Sequence, residues 1–268
     1  IEEARRYLVG GVNSPVRAFR HLGIDPLMVV RASGAEVEDV QGRRFLDFIS
    51  GWGALLLGHN SPAVVDALRR GLEVGVLFGL THPAEVELAR LIAEAVPSVE
   101  QVRFTVSGTE ACLTAVRLAL AVTGRKSVLA FDGCYHGHAA LAPDVIRVPY
   151  NDPAAVESAM TRHGPELACA IVEPVAANMG VVPPAPGFLA GLREAATRHG
   201  VLLIFDEVVT GFRLGLGGAQ AAFGVTPDLT VLGKIIGGGL PIGALGGPRR
   251  LLQRLAPEGD VYHAGTFA

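Results

Sequence analysis

Short, almost wholly apolar runs recur through the later two thirds of the chain, and each ends in a polar residue. They are Val102-Arg103-Phe104-Thr105-Val106, Val128-Leu129-Ala130-Phe131-Asp132, Cys169-Ala170-Ile171-Val172-Glu173, Ile204-Phe205-Asp206 and Leu229-Thr230-Val231-Leu232-Gly233-Lys234. Runs of this length without polar alternation suit strands covered on both faces, as in a parallel sheet. Between them the apolar positions fall at helical spacing, which predicts helices over residues 84–95, 108–122, 154–163 and 187–199. Strand and helix in alternation give an α/β fold with a mostly parallel, doubly wound sheet. Before about Thr81 the pattern differs: an irregular start, a hairpin around residues 37–48, and a helix over 62–72 with Ser61 as its cap. The expected division is therefore a small N-terminal portion, 1–80, and a large domain, 81–268.

Chemistry in such sheets gathers where strands end, so the polar residues closing the runs are the first candidates. Lys234 and Asp206 at one edge would be the two groups that pyridoxal phosphate needs. An amine forms a Schiff base with the aldehyde, and a carboxylate keeps the pyridine nitrogen protonated. Singly, each has a plainer reading, a solvated lysine and a helix-capping aspartate. Ser107-Gly108-Thr109, between a strand and a helix, would aim free amides, a helix dipole and two hydroxyls at one point, which suits a phosphate. An ordinary N-cap supported by Glu110 explains the same residues.

The strand ending at Phe131 leads into Gly133-Cys134-Tyr135-His136-Gly137-His138, where Tyr135 can stack on a flat ring. His136 and His138 find no third metal ligand at convincing spacing, and neither Cys112 nor Cys169 belongs to a paired-cysteine motif, so no metal site is expected. Asn178, after Glu173-Pro174, is placed to bond a ring hydroxyl or is a plain turn residue. The run Gly237-Gly238-Gly239 suggests close backbone approach near a cofactor or a subunit interface, or a flexible loop.

Composition narrows the partners rather than the chemistry. Twenty-three basic against 26 acidic residues leave a net charge of −3, which suggests neither nucleic acid nor an anionic membrane. Mean hydropathy is high, at +0.39, yet no apolar run approaches the roughly 18 residues of a spanning helix. Half of the 268 residues are hydrophobic, enough for a large core. Three scattered cysteines fit a reducing, cytoplasmic setting. Cys134, beside Tyr135, is the one nearest the candidate chemistry, with a small apolar filler as the plainer reading. The sequence shows no targeting pattern.

Taken together and in order, these motifs resemble the class III, fold-type I pyridoxal-phosphate aminotransferase family, and most closely its aminomutase branch. The resemblance runs through residues 10–19, 52–53 with 57–60, 107–111, 133–138, 173–176 with 178–180, 205–208 with 210–213, 217–220, 226–243 and 265–267. It implies that Lys234 carries the cofactor aldehyde and Asp206 pairs with the ring nitrogen. It further implies that Ser107, Gly108 and Thr109 cradle the phosphate, that Tyr135 and Val208 sandwich the ring with His136 beside them, and that Asn178 reaches the ring hydroxyl. Thr266 would cross a homodimer interface to the partner's cofactor. Ser14 and Arg17 would meet a substrate carboxylate, for which an arginine is a bidentate clamp, and Trp52 would wall the pocket. The implied substrate is a small amino aldehyde, glutamate 1-semialdehyde, isomerised to 5-aminolevulinate with the cofactor cycling through its pyridoxamine form.

Two departures from the family pattern stand out. Between His138 and Tyr150 the chain has only residues 139–149, where the aminomutase branch carries a longer Gly/Ser-rich lid. The family pattern also continues into a C-terminal small domain, expected to be missing here. The alternative reading is a ping-pong aminotransferase acting on another amino and aldehyde or keto substrate. A non-catalytic relative is disfavoured by the presence of Lys234, Asp206 and the Ser-Gly-Thr turn together. A nicotinamide dehydrogenase is disfavoured because no G-x-G-x-x-G opens a βαβ unit.

Overall fold

The computed structural model describes residues 1–139 and 141–267. The chain divides into two compact units, one of residues 1–50 and 57–74 and one of 51–56 and 75–268. The division expected at about residue 80 thus falls at 74/75, and residues 51–56 go with the larger unit.

The first unit begins with helix α1 (Glu2–Tyr7) and holds a three-stranded antiparallel sheet, β1 (Val29–Ser33), β2 (Glu36–Asp39) and β3 (Arg44–Leu46). Its hairpin turn is tied by Asp39, whose carboxylate accepts from the backbone N–H of Gln41 and Arg43 and from the Arg43 guanidinium. A single irregular turn, α2 (Ser50–Gly53), precedes helix α3 (Pro62–Val74).

The larger unit is the doubly wound sheet. In chain order it runs α4 (Pro83–Ala95), β4 (Gln101–Thr105), α5 (Gly108–Thr123), β5 (Ser127–Phe131), β6 (Asp144–Val148), α6 (Pro153–His163) and β7 (Leu167–Val172). It continues through α7 (Phe188–His199), β8 (Leu202–Asp206), α8 (Gly218–Phe223), β9 (Leu229–Gly233), β10 (Gly243–Gly247) and α9 (Arg249–Leu252). The strand order is β4-β10-β9-β8-β7-β5-β6. Strands β5 to β9 are parallel, while β10 lies antiparallel to both β9 and β4. Neither β6 nor β10 was among the expected strands.

Alternate residues of each central strand enter different cores, as a period of two requires. Val128, Ala130, Cys169, Ile171 and Ile204 pack under α5 with Ala111, Ala115, Leu118 and Ala119. Leu129, Phe131, Ala170, Val172, Leu203 and Phe205 pack on the opposite face against α6 and α7. Burying each large side chain there contributes roughly 1.5–3 kcal/mol. Among the described residues no helix is long and apolar enough to cross a membrane.

Candidate active site

Because β4, β5, β7, β8 and β9 point the same way, their carboxyl ends and the start of antiparallel β10 share one edge of the sheet. The expected site residues follow those ends directly: 107–109 after β4, 133–138 after β5, 173–178 after β7, 206–208 at β8 and Lys234 after β9.

At the first of these, Ser107 caps α5. Its side chain accepts from the Glu110 N–H at 3.3 Å, while Glu110 Oε2 accepts from the Val106 N–H at 2.7 Å. The plain capping role is therefore real, and it leaves the amides of Gly108 and Thr109 outside the helical ladder, pointing from a positive helix end. Glycines crowd this turn for steric reasons. A Cβ on Gly108 would come within 2.9 Å of Val208, one on Gly137 within 2.5 Å of Thr109 Oγ1, and one on Gly243 would run into the Ser107 carbonyl. The turn is thus in contact with the loop after β5, the segment after β8 and the start of β10.

At the centre, Asp206 is 4% exposed. Its Oδ2 lies 2.7 Å from His136 Nδ1 and 3.3 Å from Cys112 Sγ, and Oδ1 accepts from the Val208 N–H at 3.1 Å. With the carboxylate ionised, His136 donates from Nδ1. Cys112, His136 and Asp206 form a three-membered donor group whose ligand atoms lie within 4.8 Å of one another, so the fold supplies partners for His136 that residue spacing did not reveal. Burial, and then the charge of Asp206, push the Cys112 thiol well above its ordinary range. A thiol kept protonated is a hydrogen-bond donor to the carboxylate.

Lys234 follows β9 with φ of 47°, a left-handed conformation that a lysine rarely adopts. Such outliers concentrate at functional sites. Burial lowers its pKa, opposed by the nearby charges of Asp206 and Glu173. More of the neutral, nucleophilic amine is therefore present at a given pH than for a solvated lysine.

Glu173 holds the outer loops together. It is buried, and its carboxylate accepts from Tyr135 N–H at 2.6 Å and from Ala177 N–H at 3.0 Å. Burial raises its pKa, with the Asp206 charge adding to the rise and the Tyr135 and Ala177 amides restraining it. Tyr135 stands half-exposed beside this clamp, and Asn178 is exposed in the turn that Glu173 organises. The sequence showed Glu173 only as a strand end; its role needed the fold, as did those of Cys112 and Gly243.

The remaining expected residues lie elsewhere. Ser14 and the exposed Arg17 belong to the first unit, at and within a 3-10 turn over Pro15–Ala18. Trp52 belongs to the larger unit, has φ of 59° and is half-exposed; its neighbour Gly53 is anchored there by a 2.9 Å bond from Arg213. Thr266 is exposed near the end of the described chain.

Comparison with known proteins finds relatives over the whole chain. A profile of class-III aminotransferases matches residues 20–143 and 139–268. The chain is 55% identical to glutamate-1-semialdehyde 2,1-aminomutase of Thermomicrobium roseum over 291 residues, covering all of this chain and 68% of that protein. It superposes on a β-phenylalanine aminotransferase from Variovorax paradoxus with a TM-score of 0.94 and 40% identity, over 99% of this chain and 64% of that one. It also matches a variant glutamate-1-semialdehyde aminomutase from Pseudomonas aeruginosa PAO1 in complex with PMP, with a TM-score of 0.85 and 31% identity, over 99% and 65% of the two chains. The chain thus spans about two thirds of the length of the proteins it matches. The chain belongs to the class-III aminotransferase family, whose members depend on pyridoxal phosphate.

Proposed function

We propose that the whole protein isomerises glutamate 1-semialdehyde to 5-aminolevulinate. What carries this reading is the 55% identity to the T. roseum aminomutase across the entire chain, joined to a site whose residues fit the cofactor. The carboxylate of Asp206 suits a pyridinium, the amides of Gly108 and Thr109 with the hydroxyls of Ser107 and Thr109 suit a phosphate, and Tyr135 and Val208 suit the two faces of a flat ring. When bound, pyridoxal phosphate supplies an electron sink and a carrier for the amino group.

The chain's own residues then divide the work. Lys234, partly desolvated, would hold the cofactor and, when free of it, would move a proton to and from the substrate carbon as general acid and base. Asp206, kept in place by His136, Cys112 and the Val208 amide, keeps the ring nitrogen protonated. Glu173 fixes the loop that carries Tyr135. Asn178 reaches the ring hydroxyl, Ser14 and Arg17 bind the substrate carboxylate, and Trp52 closes the pocket wall. The protein works as a cytoplasmic homodimer in which Thr266 reaches the partner's cofactor. Free thiols at Cys112, Cys134 and Cys169 support the cytoplasmic setting.

A second reading is favoured by one observation. The family profile breaks into two matches that meet at residues 139–143, and the T. roseum relative aligns over 291 residues where this chain has 268. Ala140 in that segment lies outside the described residues. An aminomutase has to keep a diamine between its two half-reactions, and a covering loop slows escape; an aminotransferase releases its first product anyway. Full-length enzyme loaded with pyridoxamine phosphate, given glutamate 1-semialdehyde and no other amino compound, separates the two. Sustained formation of 5-aminolevulinate over many turnovers is the expected result. A single burst, or diaminovalerate accumulating in solution, would make the enzyme an aminotransferase with another amino donor and acceptor.

The phosphate role of the turn is tested at Gly243. Its replacement by alanine presses a methyl group against the Ser107 carbonyl and comes within 2.6 Å of Thr105 Oγ1. Overpacking of this kind costs about 1–3 kcal/mol, and the nearest atoms the methyl group meets are the turn's own backbone at Ser107. The expected outcome for Gly243→Ala is pyridoxal phosphate affinity lower by about tenfold, read by titration, for a displacement of that energy. Unchanged affinity would remove the turn from the binding site.

A further inference from the structure

The three donors on Asp206 are unevenly shared between its oxygens. Oδ2 faces both Cys112 Sγ at 3.3 Å and His136 Nδ1 at 2.7 Å, whereas Oδ1 receives only the Val208 N–H, at 3.1 Å. Each oxygen of an ionised carboxylate offers two lone-pair directions. Oδ2 is therefore filled from within the protein, and Oδ1 keeps one direction open.

We propose that Cys112 is a positioning residue: with His136 it occupies Oδ2 of Asp206, so that the remaining lone pair of Oδ1 is the one that meets the cofactor's ring nitrogen. The inference rests on the reading of Asp206 as the partner of that nitrogen. A buried cysteine is usually an apolar filler. One observation sets this one apart: its sulfur lies at hydrogen-bonding distance from a carboxylate that is itself 4% exposed, and burial, which pushes the thiol's pKa up, favours its role as the donor. Cys112 shares the buried α5 core with Ala111 and Ala115, and the contact with Asp206 is what those alanines do not make.

The placement on α5 has a mechanical consequence. Gly108 and Thr109 form the first turn of that helix, and Cys112 sits one turn later. The group that binds the phosphate end and the group that steadies the carboxylate at the nitrogen end are thus spaced by one rigid, buried element. Helix α5 fixes the span between the two ends of the cofactor site, and a shift of its N-terminus moves both together.

The test uses full-length protein and two readouts. In the cofactor-free form, the infrared S–H stretch isolated by subtracting the Cys112→Ala spectrum is expected at the lowered frequency of a hydrogen-bonded thiol, moving to the free-thiol position in Asp206→Leu. In titrations with pyridoxal phosphate, Cys112→Ala is expected to bind about fivefold more weakly, with Cys112→Ser back within about twofold, the size of one hydrogen bond. An S–H band already at the free-thiol position overturns the proposal; if the alanine variant fails to fold, the Cys112→Ser spectrum, which also lacks this S–H group, is the one subtracted. Normal uptake by the unmutated protein together with unchanged affinity in Cys112→Ala overturns it alone. Failure of the unmutated protein to take up the cofactor would sink the reading of Asp206 and this proposal with it.

Discussion

Lys234→Ala will leave a folded protein that has lost its catalysis: kcat falls by about 10³-fold or more, as the proposed roles of covalent anchor and general acid/base require. Stability, in contrast, stays within about 0.5 kcal/mol of the parent, because the substitution deletes a partly desolvated amine and leaves the backbone strain at φ of 47° unchanged. Both halves are measurable on the same preparation. Turnover and the absorbance of bound cofactor report the first, and denaturant unfolding reports the second. Loss of activity in step with loss of stability would mean that Lys234 is a structural residue.

The same side chain sets a pH dependence. Burial holds its pKa below the 10.5 of an ordinary lysine. Capture of pyridoxal phosphate by the cofactor-free protein, trapped by borohydride at early times, should therefore reach half its maximal rate below pH 10.5. The linked effect on folding has a definite sign. Since the folded-state value is depressed, the unfolded chain binds the extra proton first, so Lys234's contribution is complete above 10.5 and declines as pH falls toward the folded-state value. A midpoint at or above the ordinary value would contradict the desolvation of this amine.

How far the sequence reaches is clearest at single elements. The strands that lead to Phe131, Glu173, Asp206 and Lys234 were legible because burial on both faces leaves unbroken apolar runs, a signal that needs no knowledge of neighbours. Strand β10, Gly243-Ala244-Leu245-Gly246-Gly247, was not. Glycine is depleted in strands, and here it is required by contacts from elsewhere in the chain, Ser107 against Gly243, Val99 against Gly246 and Leu229 against Gly247. Strand β6 escaped for another reason: as an edge strand paired only with β5, it carries the exposed Asp144 and Arg147 and lacks the apolar run. Lys234, Asp206 and the turn announced themselves by position at strand ends. Cys112 and Glu173 act through partners 94 and 38 residues away, and no local pattern encodes such distances. Arg17 and Ser14 drew attention only through the family resemblance, since a lone arginine in an irregular segment is otherwise an ordinary surface residue.

The largest loss of stability is expected one residue beyond Asp206. Glu207 is 1% exposed, and its four lone-pair directions are all used. Oε2 accepts from Thr210 Oγ1 at 2.9 Å and from the Ala219 N–H at 2.5 Å, and Oε1 from the Gln220 N–H at 3.2 Å and Gln220 Nε2 at 3.0 Å. The chain of bonds continues from Gln220 to the Ser98 N–H at 2.8 Å and to Thr230 Oγ1 at 3.1 Å, with Thr230 and Ser98 hydroxyls 2.7 Å apart. It joins the end of β8, the start of β9, helix α8 and the entry to β4, and β8, β9 and β4 are the strands that lead to Asp206, Lys234 and the Ser107-Gly108-Thr109 turn. Glu207→Ala strands these buried donors without water, at about 3–5 kcal/mol in denaturant unfolding. Glu207→Gln keeps the shape but turns an amide NH₂ toward two of the donors, so about half that loss is expected. Pyridoxal phosphate affinity should fall in both variants, because the strands that carry Asp206 and Lys234 are no longer tied together. A Glu207→Ala protein as stable as its parent would show that these bonds are only exchanged for others, and that the site's rigidity has a different source.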